Sequence, residues 1–162
     1  MDSEEIAMMT LYRLVRLIET HSNELASALL NRVRSSEATS DYYLVPDEDL
    51  RERVYEIYRH LGDWLITRDE IDLEQRYEKI GARRENQSVP LSQVIWAIVL
   101  TKDNLWEFLK LHSEMDRPVE AFGELEMLQM LDRFFNRATY FAAVGYEKAC
   151  TEAKVEGLRA TA

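Results

Sequence analysis

Apolar side chains return every three or four positions along most of the chain, from Ile6 to Ala142. This spacing places them on one face of an α-helix, whereas a half-buried strand would show strict alternation. The pattern is clearest in one segment, where seven positions follow it without a miss: Leu50, Val54, Ile57, Tyr58, Leu61, Trp64 and Leu65. The sequence therefore predicts an all-α fold.

Interruptions of this pattern divide the chain into five or six helices. They fall at residues 37–46, near a capping pattern formed by Thr67 and Glu70, at Ser88-Val89-Pro90 and near Pro118. Only five Gly and three Pro occur among 162 residues, so turns are few and the connections short. Long helices with short connections favour a bundle of mostly antiparallel neighbours, with a globin-like fold that lacks haem as the alternative.

The apolar stretch from Val94 to Leu100 predicts the most enclosed helix of the bundle, because it is apolar on all sides. It is far shorter than the ~20 residues that a membrane span needs. No linker rich in Gly, Ser or Pro divides the chain. Residues 1–150 are therefore predicted to form one helical domain, and residues 151–162 a frayed extension of the last helix.

The charge balance argues against two classes of partner. The formal net charge is −10, and a field of that sign repels both nucleic acid and anionic lipid. The acidic start, Asp2-Ser3-Glu4-Glu5, is the opposite of a basic signal-peptide start. Cys150 is the only cysteine, which suits a reducing compartment. We expect a cytoplasmic protein that binds neither nucleic acid nor membrane.

Residue patterns for catalysis and metal binding are missing. The Glu-x-x-His spacing of helical metal sites does not occur, since Glu56 precedes His60 by four positions and Glu107 precedes His112 by five. Paired cysteines, a nucleophile elbow and a Gly-rich phosphate loop are also absent from the sequence. We therefore predict no metal, no cofactor and no catalytic residues, and the protein is not expected to be an enzyme.

A small-molecule or haem carrier is the alternative function. His112 is the best candidate for an axial haem ligand, although a helix-end histidine that bonds the last carbonyls is the favoured interpretation. Trp96 and Trp106 lie within roughly 80° of one another on one helix, where core packing is favoured over a cavity or dimer face. The candidate pocket residues are Tyr77, Arg84, Trp96, Trp106 and His112.

The fourth predicted helix carries a basic cluster, Arg76, Lys79 and Arg83, on one exposed face. Arg84 instead continues the apolar stripe and points toward the core edge, where it snorkels, pairs with Asp103 or Glu107, or anchors an anionic ligand. Gly81 lies inside this helix at a cost of up to ~1 kcal/mol relative to Ala. A close helix–helix approach or a local kink would account for it.

The stretch from Lys79 to Ser92 resembles the N-terminal sensory domain of RsbR/RsbRD-type regulators, which are co-antagonists of bacterial stress signalling. Similar domains precede some sensor histidine kinases. The resemblance spans roughly residues 25–146, and these further segments share it: Val94–Leu100 with Thr101-Lys102, Leu105-Trp106-Glu107-Phe108, Leu30-Asn31-Arg32-Val33 and Phe134-Phe135-Asn136-Arg137-Ala138. It carries over no catalytic residues.

The resemblance implies a cofactor-free helical domain that dimerises and passes a cue to an output domain or signalling partner through its last helix. Interface candidates on that helix are Phe134, Arg137, Tyr140, Phe141 and Tyr146. No STAS or kinase sequence follows residue 162, so we expect either a free-standing member or a piece of a longer protein. The resulting hypothesis is a non-catalytic, homodimeric signalling domain.

Overall fold

A computed structural model of the chain describes residues 2–112 and 118–161. Its helices are α1 (Ser3–Thr20), α2 (Ser22–Ser35), α3 (Asp47–Thr67), α4 (Glu70–Asn86), α5 (Leu91–His112) and α6 (Pro118–Thr161), with a 3-10 segment at Glu37–Leu44. The described residues contain no strand, so the all-α prediction is confirmed. None of these helices is long and apolar enough to cross a lipid bilayer.

Local signals place the ends of α3 and α4. Three acidic residues, Asp47, Glu48 and Asp49, occupy the first turn of α3, at the positive end of the helix dipole. The capping pattern predicted at Thr67 is wrong, because Thr67 is the last residue of α3 and Arg68 follows it in the left-handed region (φ 57°). Asp69 caps α4 instead, since its side chain accepts a hydrogen bond from the Asp72 amide at 3.0 Å.

The interruption at residues 37–46 is not an open loop. Its 3-10 segment packs down through Tyr42, of which 4% is exposed, while Tyr43 remains 73% exposed. Arg34 holds the end of this segment, because its guanidinium donates to the carbonyl oxygens of Tyr42 and Val45. This segment therefore packs on the domain through one of its two tyrosines.

An aromatic cluster lies at the centre of the core, where α3, α4 and α6 meet. The ring of Phe134 lies 5.5 Å from that of Trp64 and 5.7 Å from that of Tyr77. All three side chains are buried, which agrees with the predicted core position of Trp64. Rings in tilted and edge-to-face contact bury a large apolar area, so this cluster connects the last helix to the body of the domain.

Helix α5 is not the most enclosed helix, contrary to the prediction. Its buried apolar side chains, Val94, Ile98, Leu105 and Phe108, occupy one face. Trp96 is 41% exposed, so core packing is wrong for this residue. The helix packs on the outside of the bundle against α2, α6 and the 3-10 segment, which cover only one of its apolar sides.

The most extensive helix pair, α4 and α6, runs parallel and is an exception to the antiparallel arrangement predicted for neighbours. Arg68, just before α4, contacts Met130, and Val89, just after α4, contacts Tyr146. Residues therefore advance in the same direction along both helices. Helix α5 lies between them in sequence and returns the chain toward the end at which α4 begins. Helices α4 and α6 can therefore run in the same direction side by side.

Candidate functional site

The contact between α4 and α6 is so close that backbone touches backbone. A Cβ atom added to Gly81 would lie 1.9 Å from the carbonyl oxygen of Ala142, and one added to Gly145 would lie 2.0 Å from that of Glu78. Ala138 and Ala142 are fully buried on the same side of α6. Of the two explanations for Gly81, the structure thus shows the close approach. We call this contact the seam.

Polar side chains tie the seam at both ends. Arg137 on α6 pairs with Glu70 at the start of α4, with 2.9 Å between Nε and Oε2. Lys148 pairs with Glu78 at 3.0 Å. The Tyr146 hydroxyl donates to the carbonyl oxygen of Val89 at 2.7 Å. These ties hold α6 in one register relative to α4.

The five interface candidates on α6 divide between the core and the surface. Phe134 is fully buried, so it is not available to a partner. Phe141 and Tyr146 are half-buried and pack against the core. Arg137 is half-exposed and engaged with Glu70, while Tyr140 is 64% exposed. The aromatic residues of this helix therefore mostly hold it to its own domain.

Beyond residue 150, α6 leaves the body of the domain. Residues 151–161 are helical and exposed throughout. Val155 and Leu158 are apolar yet 43% and 71% exposed. At ~100° per residue these two side chains share one face of the helix with Tyr140, Val144 and Thr151. We call these five residues the α6 stripe. Fraying of this extension stays a prediction.

A cleft of about 340 Å³ opens between α3 and α4, on the other side of α4 from the seam. The imidazole of His60 lies at its base, where only 4% of the side chain is exposed. Nε2 of His60 lies 2.9 Å from Oδ2 of Asp72 and joins α3 to α4. Asp72 also accepts two hydrogen bonds from Nε of Arg76, at 3.1 and 3.0 Å.

Burial lowers the pKa of His60 below its usual value, and the cation of Arg76 lowers it further, against the opposing effect of Asp72. Desolvation alone would raise the pKa of Asp72, but hydrogen bonds from Arg76 and His60 hold it below its ordinary range. His60 is therefore neutral at neutral pH and donates its Nε2 proton to an ionised carboxylate. The base of the cleft carries no net positive charge from this histidine.

Arg84 is buried, as predicted from its stripe position, but neither proposed carboxylate is its partner. Its guanidinium lies 5.5 Å from the centre of the Tyr42 ring and donates to Oε1 of Gln87 at 2.6 Å. Glu107 pairs with Arg32 instead. Burial lowers the pKa of Arg84. The side chain therefore fastens the 3-10 segment to the end of α4.

The remaining pocket candidates do not converge on one cavity in the described part of the chain. Tyr77 lines the α3–α4 cleft, whereas Trp96 is 41% exposed and Trp106 half-buried on α5. His112 ends α5, and its Nδ1 lies 2.9 Å from the carbonyl oxygen of Phe108, as a helix-end histidine would. In residues 2–112 and 118–161, no three His, Cys, Asp or Glu side chains are grouped so that they could hold a metal ion.

The cleft was missed as a whole from sequence, although two of its parts were visible. The basic face of Arg76, Lys79 and Arg83 pointed to one wall. His60, in turn, lies beside the apolar stripe of α3 and is buried. A polar residue at the edge of an apolar face is the signal in the sequence that could have pointed to the cleft.

Most of the chain is similar to a known family of domains. A family model described as the N-terminal domain of the RsbT co-antagonist protein RsbRD matches residues 23–160. No curated protein matches the chain significantly. No solved structure matches it significantly either.

Proposed function

The chain belongs to the family of N-terminal domains of the RsbT co-antagonist protein RsbRD, and from this we propose that it is a non-catalytic signalling domain. The family is one of stress-signalling regulatory domains. We propose further that this domain forms a homodimer in the cytoplasm. A change at the seam would then reach a signalling partner or output domain through α6.

The observation that carries this proposal is the path of α6. The helix comprises 44 residues, which corresponds to about 66 Å. Its middle is fixed to α4 at the seam, and residues 151–161 project from the domain as exposed helix. A rigid rod that is held along its middle and free at its end converts a small movement at the seam into a displacement at its tip.

A partner would stabilise the projecting segment, because residues 151–161 are exposed throughout. Most helical stability in proteins comes from packing of an apolar face rather than from intrinsic propensity. Val155 and Leu158 are separated by three positions, the spacing of a and d residues in a coiled coil. Two identical stripes can face each other across a two-fold axis, so a second copy of α6 is the occupant we propose.

Sedimentation equilibrium tests the dimer directly. The double variant Val155→Ser/Leu158→Ser is expected to be monomeric at micromolar concentrations at which the unaltered chain is dimeric. Leu111→Ser is the matched control, because Leu111 is 81% exposed at the end of α5, away from the stripe. A strictly monomeric unaltered chain, or a dimer that survives the double variant, would contradict the proposed interface.

Hydrogen exchange tests the relay. The variant Arg137→Ala/Lys148→Ala removes the two ion pairs across the seam. We expect the amides of residues 151–161 to exchange faster in this variant, because a loosened seam no longer holds the base of the extension. Lys102→Ala removes the ion pair between α5 and Asp132 of α6 and serves as the control. Unchanged exchange at residues 151–161 in the double variant would count against transmission through the seam.

A further inference from the structure

We propose that the cleft between α3 and α4 binds a small organic anion that carries a phosphate or carboxylate group. The cleft measures about 340 Å³, which is within the range of pockets that hold small molecules. Its walls combine cationic side chains from both helices with an apolar surface. Binding of an anion in this cleft does not depend on the proposed function. Only a role of that anion as the signal sensed by the domain rests on the proposed function.

The charges that line the cleft are strongly unlike those of the whole chain. Four cations, Arg53, Arg76, Lys79 and Arg83, face two carboxylates, while the formal net charge of the protein is −10. Because His60 is neutral, the lining carries a formal surplus of two positive charges. A local positive field in an acidic protein concentrates anions at that place.

Both carboxylates of the lining are already engaged. Glu56 accepts a hydrogen bond from Arg53 at 2.7 Å, and Asp72 accepts from Arg76 and lies within hydrogen-bonding distance of His60. Lys79 and Arg83, by contrast, have no carboxylate within 4 Å among the residues that the structure describes. These two side chains lie four positions apart and thus on one face of α4. They are the pair that would hold the oxyanion.

Arg53 contributes its charge to the cleft rather than a free donor. Its Nε is enclosed, lies 3.4 Å from Oδ1 of Asp49 and makes no hydrogen bond in the described part of the chain. An atom that water cannot reach is also closed to a ligand, so the oxyanion would be held by Lys79 and Arg83.

The apolar part of the lining indicates that the anion is organic. Ile57, Tyr77 and Ile80 contribute hydrocarbon surface to the cleft, next to the cationic side chains. Inorganic phosphate would satisfy the cations but leave this apolar surface in contact with water. A ligand with a short apolar body would also remove that surface from water. The two positive charges of Lys79 and Arg83, which make no ion pair with a described carboxylate, further favour a dianion such as a phosphate monoester.

The position of the cleft connects such a ligand to the seam. Lys79, Ile80 and Arg83 flank Gly81, whose backbone touches α6. A ligand that bridges α3 and α4 would fix α4 against α3 and thereby bias its packing on α6. It would act only through a difference in affinity between two arrangements of these helices.

Isothermal titration calorimetry on the whole chain tests the binding, with phenyl phosphate, benzoate, inorganic phosphate and neutral benzyl alcohol as probes. We expect phenyl phosphate to bind in the millimolar range or tighter. Tighter binding of benzoate than of phenyl phosphate would assign a carboxylate ligand. Binding of either of these two compounds supports an organic anion. Binding of benzyl alcohol as tight as that of both anions, or no binding by either organic anion, would overturn the proposal.

A charge-matched pair of variants separates this cleft from diffuse attraction. Lys79→Ser/Arg83→Ser is expected to weaken anion binding by about tenfold or more, because it removes two charge-assisted contacts. Arg13→Ser/Arg16→Ser removes the same charge from an exposed face of α1 and should leave binding unchanged. Equal loss of affinity in both double variants would overturn the assignment to the cleft. Dimerisation is measured separately, so failure of this inference and failure of the proposed function can be told apart.

Discussion

Gly81 and Gly145 face each other's helices at the seam, and each occupies a position where a methyl group would collide with backbone rather than with a side chain. The hypothetical Cβ of Gly81 would also lie 2.8 Å from the amide nitrogen of Tyr146, and that of Gly145 would lie 2.5 Å from Cα of Glu78. Backbone atoms inside two helices cannot rotate away as a side chain can. The seam therefore depends on the absence of side chains at both positions.

Gly81→Ala is accordingly expected to destabilise the domain, although alanine favours helix. Overpacking usually costs about 1–3 kcal/mol, which exceeds the helix-propensity gain of up to ~1 kcal/mol. Urea unfolding followed by circular dichroism measures the difference. Gly157→Ala is the matched control, because nothing lies within 4 Å of a Cβ at that position. This control should be neutral or stabilising by up to ~1 kcal/mol, and an equal response of the two variants would contradict the close contact.

His60 makes stability depend on pH in a defined direction. Its pKa is lowered in the folded state by burial and by Arg76, whereas Asp63 and Asp72 act in the opposite direction. Between the lowered pKa of the folded state and the ordinary histidine pKa of about 6.5, the unfolded chain binds more protons than the folded chain. The free energy of unfolding therefore falls as the pH drops through this range. Each unit by which the pKa is lowered corresponds to about 1.4 kcal/mol.

The variant His60→Gln isolates this effect, because glutamine can still donate to Asp72 but does not titrate. We expect the fall in unfolding free energy between about pH 7.5 and 5.5 to be smaller in this variant than in the unaltered chain. His112→Gln is the same substitution at an exposed histidine and provides the control. Identical pH profiles for His60→Gln and the unaltered chain would show that His60 does not contribute.

Asn104 connects three helices through its buried amide. Its Nδ2 donates to the carbonyl oxygen of Leu25 at 3.0 Å and to the Tyr58 hydroxyl at 2.9 Å. Asn104→Ala leaves both acceptors without this donor inside the core, so we expect a loss of about 1–3 kcal/mol in unfolding experiments. Asn136→Ala removes an exposed amide with one long bond to Asp132 and should change stability by less than about 0.5 kcal/mol. The two variants should therefore differ clearly in urea midpoint.

Arg84 should not tolerate lysine. Its planar guanidinium both stacks on Tyr42 and donates to Gln87, and an ammonium cannot do both in the same place. We expect Arg84→Lys to cost roughly 1–3 kcal/mol and to expose Tyr42, which near-ultraviolet circular dichroism would register. Arg83→Lys, one position along and half-exposed, should be nearly neutral. Equal stability of the two variants would contradict a specific role of the buried guanidinium.

Sequence periodicity correctly predicted the properties that depend on local geometry. Helices α3, α5 and α6 start at or next to prolines that mark predicted interruptions of the helical pattern: Pro46, Pro90 and Pro118. Trp64 and Arg84 point inward as their stripe positions require, because the helical repeat alone decides which residues share a face. The same residues from Lys79 to Ser92 that carried the family resemblance contain Gly81 and lie within the matched range.

Tertiary structure alone decided which faces are covered and by which helix. Trp96 is exposed and Phe134 is buried, although both stand in apolar stretches of long helices. Their surroundings come from elements far away in sequence: rings from α3 and α4 enclose Phe134, while neighbouring helices cover only one face of α5. The parallel seam and the charged cleft have the same origin. Helical periodicity orients a side chain about its own axis, but burial and proximity depend on where the other axes lie.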